Sequence, residues 1–183
     1  MAEELLEKIP PEKRWAITAK LLTSLNVIQG EKNTAPIIGK GENINSPVKG
    51  AETWTEINTK IFGGFFKWWW TRVQEMFNIQ VEDAADAVKF VNVTAPLQSG
   101  PEWEFEYHDV TRERAAIRVT KCPWWERYTE YEVRPEFIPC LPTCDVEVGE
   151  GTKAVNPKIT VKLTKARPRG DSYCEWVYEF KEE

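Results

Sequence analysis

Four cysteines carry the most reactive side-chain chemistry in this chain of 183 residues, and Cys122, Cys140, Cys144 and Cys174 all fall in its last third. Their pattern is C-x17-C-x3-C-x29-C. Four thiolates suit tetrahedral zinc or an iron–sulfur cluster, so these four residues form one candidate metal set. The pattern lacks a C-x2-C knuckle pair, and Cys is also a common small buried hydrophobe, so plain burial competes with ligation. A reactive thiol is the third reading. It needs a base or a positive field to lower the thiol pKa, and a helix N-terminus supplies one. Cys122 is best placed for that, because Pro123-Trp124-Trp125-Glu126 reads as a helix start.

Carboxylates flank the last cysteine in Gly170-Asp171-Ser172-Tyr173-Cys174-Glu175-Trp176. Asp171 and Glu175 could orient water or a substrate, although Gly-Asp is also ordinary turn chemistry. The catalytic candidates are therefore Cys122, Cys174, Asp171 and Glu175. The single histidine, His108, falls on the polar face of a strand and reads as exposed there. Nine tryptophans against two methionines point to a cavity or interface built from flat rings. Trp68, Trp69, Trp124 and Trp125 are the candidates for stacking on a small-molecule ligand.

Several elements must position these residues. Pro11–Gln29 reads as a helix, with Trp15, Ala19, Leu22, Leu25 and Ile28 near a 3.6 period. Glu31–Gly50 is rich in Gly and Pro and reads as a long loop. Ala51–Phe77 reads as a long helix, in which Gly63-Gly64 implies a kink or a close backbone approach. Trp68-Trp69-Trp70 cannot all point inward on one helix, so at least one ring should meet ligand, partner or solvent. Glu82–Val93 suggests a third, shorter helix. After Gly100 the pattern alternates. Trp103, Phe105 and Tyr107, then Ala115, Ile117 and Val119, imply a hairpin. Glu102, Glu104 and Glu106 read as its solvated face, answered by Arg112, Arg114 and Arg118. A short helix is expected over Trp124–Tyr131, irregular chain from Pro135 to Pro157, and strands over Lys158–Ala166 and Tyr173–Phe180. The sum is an α+β fold, with N-terminal helices packed on a C-terminal antiparallel sheet of about four strands and one inserted helix. At this length one domain is expected over 1–183, with helices in 1–95 and the sheet and all cysteines in 96–183.

Composition removes several functions. A net charge of −5 with no run of four basic residues argues against nucleic acid, which needs clustered cations. No window approaches the roughly 20 apolar residues of a membrane span, and Lys60, Lys67 and Arg72 are too few for a membrane-surface helix. Met1-Ala2-Glu3-Glu4 does not open a signal peptide, so a cytoplasmic protein is expected. No Walker loop, G-x-G-x-x-G, G-x-S-x-G, H-E-x-x-H or EF-hand loop occurs.

A set of short anchors adds a family. Lys121-Cys122-Pro123-Trp124, Cys140 through Asp145, Val155-Asn156-Pro157-Lys158-Ile159, Leu163-Thr164-Lys165-Ala166 and the segment around Cys174 follow one another. In that order they resemble the aminothiazoline-carboxylate hydrolase family. The resemblance implies hydrolytic opening of a small sulfur- and nitrogen-containing ring, and Asn156 joins the substrate-binding candidates through it. The same region is similar to vinyl-reductase-type small-molecule-binding domains, whose sensor members hold zinc through E-x2-C-x7-C. Here Leu163 and Ala166 stand at two of those three positions. Two functions follow: a ring-opening hydrolase with an aromatic pocket, or a non-catalytic sensor or carrier of a small molecule or metal. An assembly subunit, a homo-oligomer using Trp68–Trp70, is a third.

Overall fold

The computed structural model describes residues 10–28, 30 and 47–182, and among these the chain forms five α-helices and one four-stranded sheet. Helix α1 spans Pro11–Val27, α2 Pro47–Phe77 and α3 Ala84–Ser99. Strands β1 (Glu104–His108) and β2 (Arg114–Lys121) form the expected hairpin, followed by α4 (Pro123–Glu130). Helix α5 spans Cys140–Val155, and β3 (Ile159–Lys165) and β4 (Cys174–Phe180) close the chain. The sheet is antiparallel throughout, in the order β1-β2-β4-β3. The architecture is α+β, with helices on one face of the sheet.

Strand register decides which residues look inward. Val119 pairs with Cys174, Ile117 with Trp176 and Ala115 with Tyr178, so these six share the face that meets the helices. Leu163 and Val161 join them from β3, opposite Trp176 and Tyr178. Ile117 and Tyr178 are fully buried. The other face is largely polar: Arg118 pairs with Glu175, and its Nε donates to that carboxylate at 2.7 Å. The expectation that Arg118 answers the hairpin glutamates is thus met only in register, opposite Glu106, while its close contact is with β4.

Three helix readings change. The irregular stretch expected from Pro135 to Pro157 contains the sixteen residues of α5. Its prolines are compatible with a helix because Pro139 is the N-cap and Pro142 lies in the first turn, where backbone N–H groups have no intrahelical partner. Its Gly151 is a packing residue. A Cβ there would lie 2.6 Å from the Trp70 ring, so α5 can seat against α2 only without one. Gly63 does the same from the other side, since its Cβ would come within 2.9 Å of Val146. The close approach expected of Gly63 is therefore real, and α2 passes through it as one helix of 31 residues. That helix begins at Pro47, so the last residues of the expected loop are helical; its earlier part, 31–46, lies outside the described residues. Helix α3 runs six residues beyond the expected end at Val93. Pro96 deletes one backbone bond, but the chain continues to Gly100, whose φ of +95° ends the helix.

Helix α1 turns a different face inward from the one its periodicity suggests. Ala19, Thr23, Ser24 and Val27 are buried, and Trp15, Leu22 and Leu25 are exposed. The cause is close contact with α3: a Cβ on Gly100 would lie 2.5 Å from the Ala19 Cβ, which selects the small-residue face. The main core lies between α2, α3, α5 and the sheet, with Trp70 edge-on to Phe90 at 5.6 Å. A second cluster of Val27, Tyr128, Val133 and Phe137 joins α1 to α4. Among the described residues no helix is long and apolar enough to cross a membrane.

Candidate functional site

The helices and sheet do not close completely on one another; they leave a cavity of about 420 Å3 between them. That volume lies in the usual range of small-molecule sites. Helix α2 supplies Trp54, Asn58, Phe66 and Trp70, and α3 supplies Val91 and Thr94. The sheet adds Phe105, Val119, Cys174 and Trp176, α4 begins with Cys122, Trp124 and Trp125, and α5 faces inward through Cys140, Cys144 and Glu147. Six of the nine tryptophans line this one space: Trp54, Trp70, Trp103, Trp124, Trp125 and Trp176.

All four cysteines therefore meet at one cavity, from three separate stretches of chain. Each is a free thiol. Among the described residues no group of three or more His, Cys, Asp or Glu side chains has an arrangement that could hold a metal ion. The four cysteines expected as a metal set, Cys122, Cys140, Cys144 and Cys174, thus share the cavity as free thiols. The expected position of Cys122 is met: it is the N-cap residue of α4, where the Trp125 and Trp124 backbone N–H groups pull its pKa down although its side chain makes no capping hydrogen bond. Burial outweighs them and pushes this thiol up to about 12. Cys144 is raised well above the ordinary range by its hydrogen bond with Cys140 and by burial. For Cys140 that same bond pulls downward, but burial and the neighbouring thiols leave it raised. Cys174 is raised by burial, against a Arg167 N–H that donates to its sulfur at 3.4 Å. At neutral pH all four are thiols rather than thiolates, in surroundings that suppress nucleophilicity.

Among the described residues that line the cavity, one carries a carboxyl group, Glu147. Burial raises its pKa from 4.5 to about 8. Among the described residues no hydrogen bond or ion pair reaches it. It sits three residues after Cys144 and seven after Cys140, so the three share one face of α5. Elsewhere on the cavity wall, the Nδ2 of Asn58 is buried with no hydrogen-bond partner, as are the indole N–H groups of Trp54 and Trp176. Asn58 is 4% exposed.

The other candidates take different places. Trp124 and Trp125 line the cavity, but Trp68 is 54% exposed and Trp69 stacks on Phe65 at 6.3 Å, so neither reaches it. The expectation for the Trp triplet is met in a different order, with Trp70 inside and Trp68 toward solvent. Asp171 accepts the Ala166 N–H at 2.8 Å and shapes the β3–β4 connection. Glu175 lies on the outer face of the sheet with Arg118 and Thr164. Asn156 donates to the carbonyls of Val81 and Glu82 at 2.9 and 3.1 Å, tying the end of α5 to the α2–α3 connection. Sequence reasoning missed Glu147, Asn58, Trp54, Trp70, Trp103 and Trp176. Glu147 had one available signal: had Cys140–Val155 been read as a helix, its spacing from both cysteines would have put it on their face.

A family model described as L-2-amino-thiazoline-4-carboxylic acid hydrolase matches residues 1–178. The chain belongs to this family. No curated protein matches it. The family match spans the helical half as well as the cysteine-bearing half, so it covers every wall of the cavity. The family's printed description is that of a hydrolase acting on a small cyclic compound.

Proposed function

We propose that this chain opens a small nitrogen-containing ring by hydrolysis at a C–N bond inside the aromatic cavity, with Glu147 as the proton donor. The observation that carries the reading is Glu147 itself: a carboxyl whose pKa of about 8 leaves it largely protonated near neutral pH, with no hydrogen-bond or ion-pair partner among the described residues. A general acid works best when its pKa lies near the operating pH. In this mechanism the Glu147 proton passes to the ring nitrogen as water adds to the adjacent carbon. The carboxylate left behind takes the proton that the attacking water sheds. It then returns that proton to the departing nitrogen as the C–N bond breaks, and takes the remaining hydroxyl proton as the attacked carbon becomes a carbonyl, so Glu147 ends protonated as it began. Asn58 Nδ2, buried without a partner, is suited to the oxygen that develops charge on the attacked carbon. The tryptophans hold the ring, and the protonated thiols of Cys122, Cys140, Cys144 and Cys174 form wall rather than nucleophile. Asp171 and Glu175 support the fold of the β3–β4 edge.

The test is turnover. L-2-amino-thiazoline-4-carboxylic acid, 2-aminothiazoline without the carboxylate and related small cyclic amidines are incubated with the protein, and loss of the ring is followed by NMR. At least one is opened, and Glu147→Gln lowers its rate by about 100-fold or more. Cys122→Ser and Cys174→Ser retain most of the activity. Absence of ring opening across the set, or full activity in Glu147→Gln, would sink the reading.

A further inference from the structure

The β3–β4 connection places a largely buried cation at the edge of the cavity. It runs through one turn of 3-10 helix, Arg167–Arg169, closed by Gly170 in the left-handed region at φ +96°. Asp171 holds the turn by accepting the Ala166 N–H, and the neighbours of Arg167 on either side, Ala166 and Pro168, line the cavity. Arg167 is tied to the same wall, because its backbone N–H donates to the Cys174 sulfur at 3.4 Å. Its side chain, 16% exposed, reaches to Thr120, where Nη2 donates to the carbonyl two residues before Cys122.

That carbonyl does not use up the guanidinium, which carries five N–H donors in a planar fork and is always charged. Nε is buried with no hydrogen-bond partner among the described residues, and Glu126, 43% exposed, stands 3.6 Å from Nη1. A desolvated cation with open donors favours an anion beside it. The sulfurs at this end of the cavity are not that anion. Cys122, Cys144 and Cys174 lie close enough to influence one another's titration, and burial keeps each a neutral thiol. The charge of Arg167 is felt among them, since it opposes the effect of burial on Cys174. Neutral sulfurs with a cation beside them admit negative charge without repulsion. Glu147 follows Cys144 by three residues on α5, about 4.5 Å along the helix, which is close to the span of a five-membered ring.

We infer that the Cys122–Cys174 end of the cavity is a carboxylate subsite with Arg167 as its countercharge, so that a ring acid is held there while its ring nitrogen reaches Glu147. The inference rests on the reading of this cavity as the hydrolase site. It names the residue that selects an acid such as the one in the family's description. Arg167 is then a specificity-determining residue that binds the substrate away from the bond that breaks.

The test is binding, measured on the full chain by isothermal titration calorimetry with 2-aminothiazole-4-carboxylate and its carboxamide. Their aromatic ring is not opened by water, so failure here and failure of turnover are separate results. The wild-type protein binds the carboxylate about tenfold or more tighter than the carboxamide. Arg167→Gln removes that preference and moves the carboxamide by less than about threefold. Arg167→Lys keeps the charge without the fork and retains part of the preference. Glu126→Gln removes the competing carboxylate and tightens the acid by about threefold. An arginine with only a structural role would weaken both ligands alike in Arg167→Gln, and that result overturns the proposal. A wild-type protein that binds neither ligand, or shows no preference for the acid, also overturns it. If Arg167→Gln does not fold, Glu126→Gln decides, and an unchanged affinity for the acid counts against the subsite.

Discussion

At Glu147 the same burial that produces a neutral acid also makes folding depend on pH. The carboxyl binds its proton up to about pH 8 in the folded chain, and only up to about its ordinary value of 4.5 when unfolded. Between those limits the native state holds one more proton than the unfolded state, so stability falls as pH rises through that window and levels off above it. Glu147→Gln removes this slope. Melting temperatures measured from pH 5 to 9 should converge for the two proteins at the acid end and favour the glutamine variant at the alkaline end; parallel curves would contradict a buried neutral acid. Catalysis falls in a different window: turnover holds while the donor keeps its proton and declines as pH passes about 8, where the stability curve levels off. The cysteines give a separate expectation. With Cys122 pushed to about 12 and the other three also raised, alkylation by iodoacetamide at neutral pH should run at roughly a tenth of the free-cysteine rate or less. Fast labelling of any one thiol would identify a thiolate and restore a nucleophilic role for it.

The pairing of α2 and α5 is the element-level event that builds the site, because it carries Asn58 and Trp70 to Cys144 and Glu147. Its closeness depends on Gly151, above which the Trp70 ring lies where a Cβ would be. Gly151→Ala is expected to destabilise by about 1–3 kcal/mol through overpacking. Gly149, two residues earlier on the same helix, has nothing within 4 Å of its would-be Cβ. Gly149→Ala should instead stabilise by up to about 1 kcal/mol through helix propensity alone. Urea denaturation of the two variants gives opposite signs if the packing is as described, and equal shifts would contradict it.

For the molecule as a whole, the main core joins the helical and sheet parts: Phe66, Trp70 and Phe90 are in one buried cluster with Ile117, Trp176 and Tyr178. Parts that share a main core are expected to unfold together. Far-ultraviolet circular dichroism and tryptophan fluorescence should therefore report the same midpoint in denaturant. Two separated midpoints would divide the chain into independent parts. The cavity has the same origin, since its walls come from both parts and exist only when they are docked.

Much of the architecture was legible because it rests on local periodicity. The alternation through Phe105, Ile117, Leu163 and Trp176 determined four strands, and the apolar spacing of Trp54 through Phe77 determined a long helix. Cys122 and Cys174 marked one side of the site for the same reason, one tied to a recognisable helix start and the other to a strand, whereas Cys140 and Cys144 fell in what read as irregular chain. What the local pattern could not determine was burial by distant residues. Pro139, Pro142, Gly149 and Gly151 read as irregular chain, and only contact with Trp70 explains why a helix tolerates Gly151. That hidden helix concealed Glu147, whose altered protonation comes from being surrounded, not from any neighbour in sequence. Glu175 and Asp171 beside Cys174 looked equally suitable, until strand register turned one to the outer face and a turn hydrogen bond engaged the other. Sequence alone determined the elements and the family-like anchors. Tertiary structure decided which carboxyl group faces the cavity, because protonation and access depend on what the folded chain packs around each group.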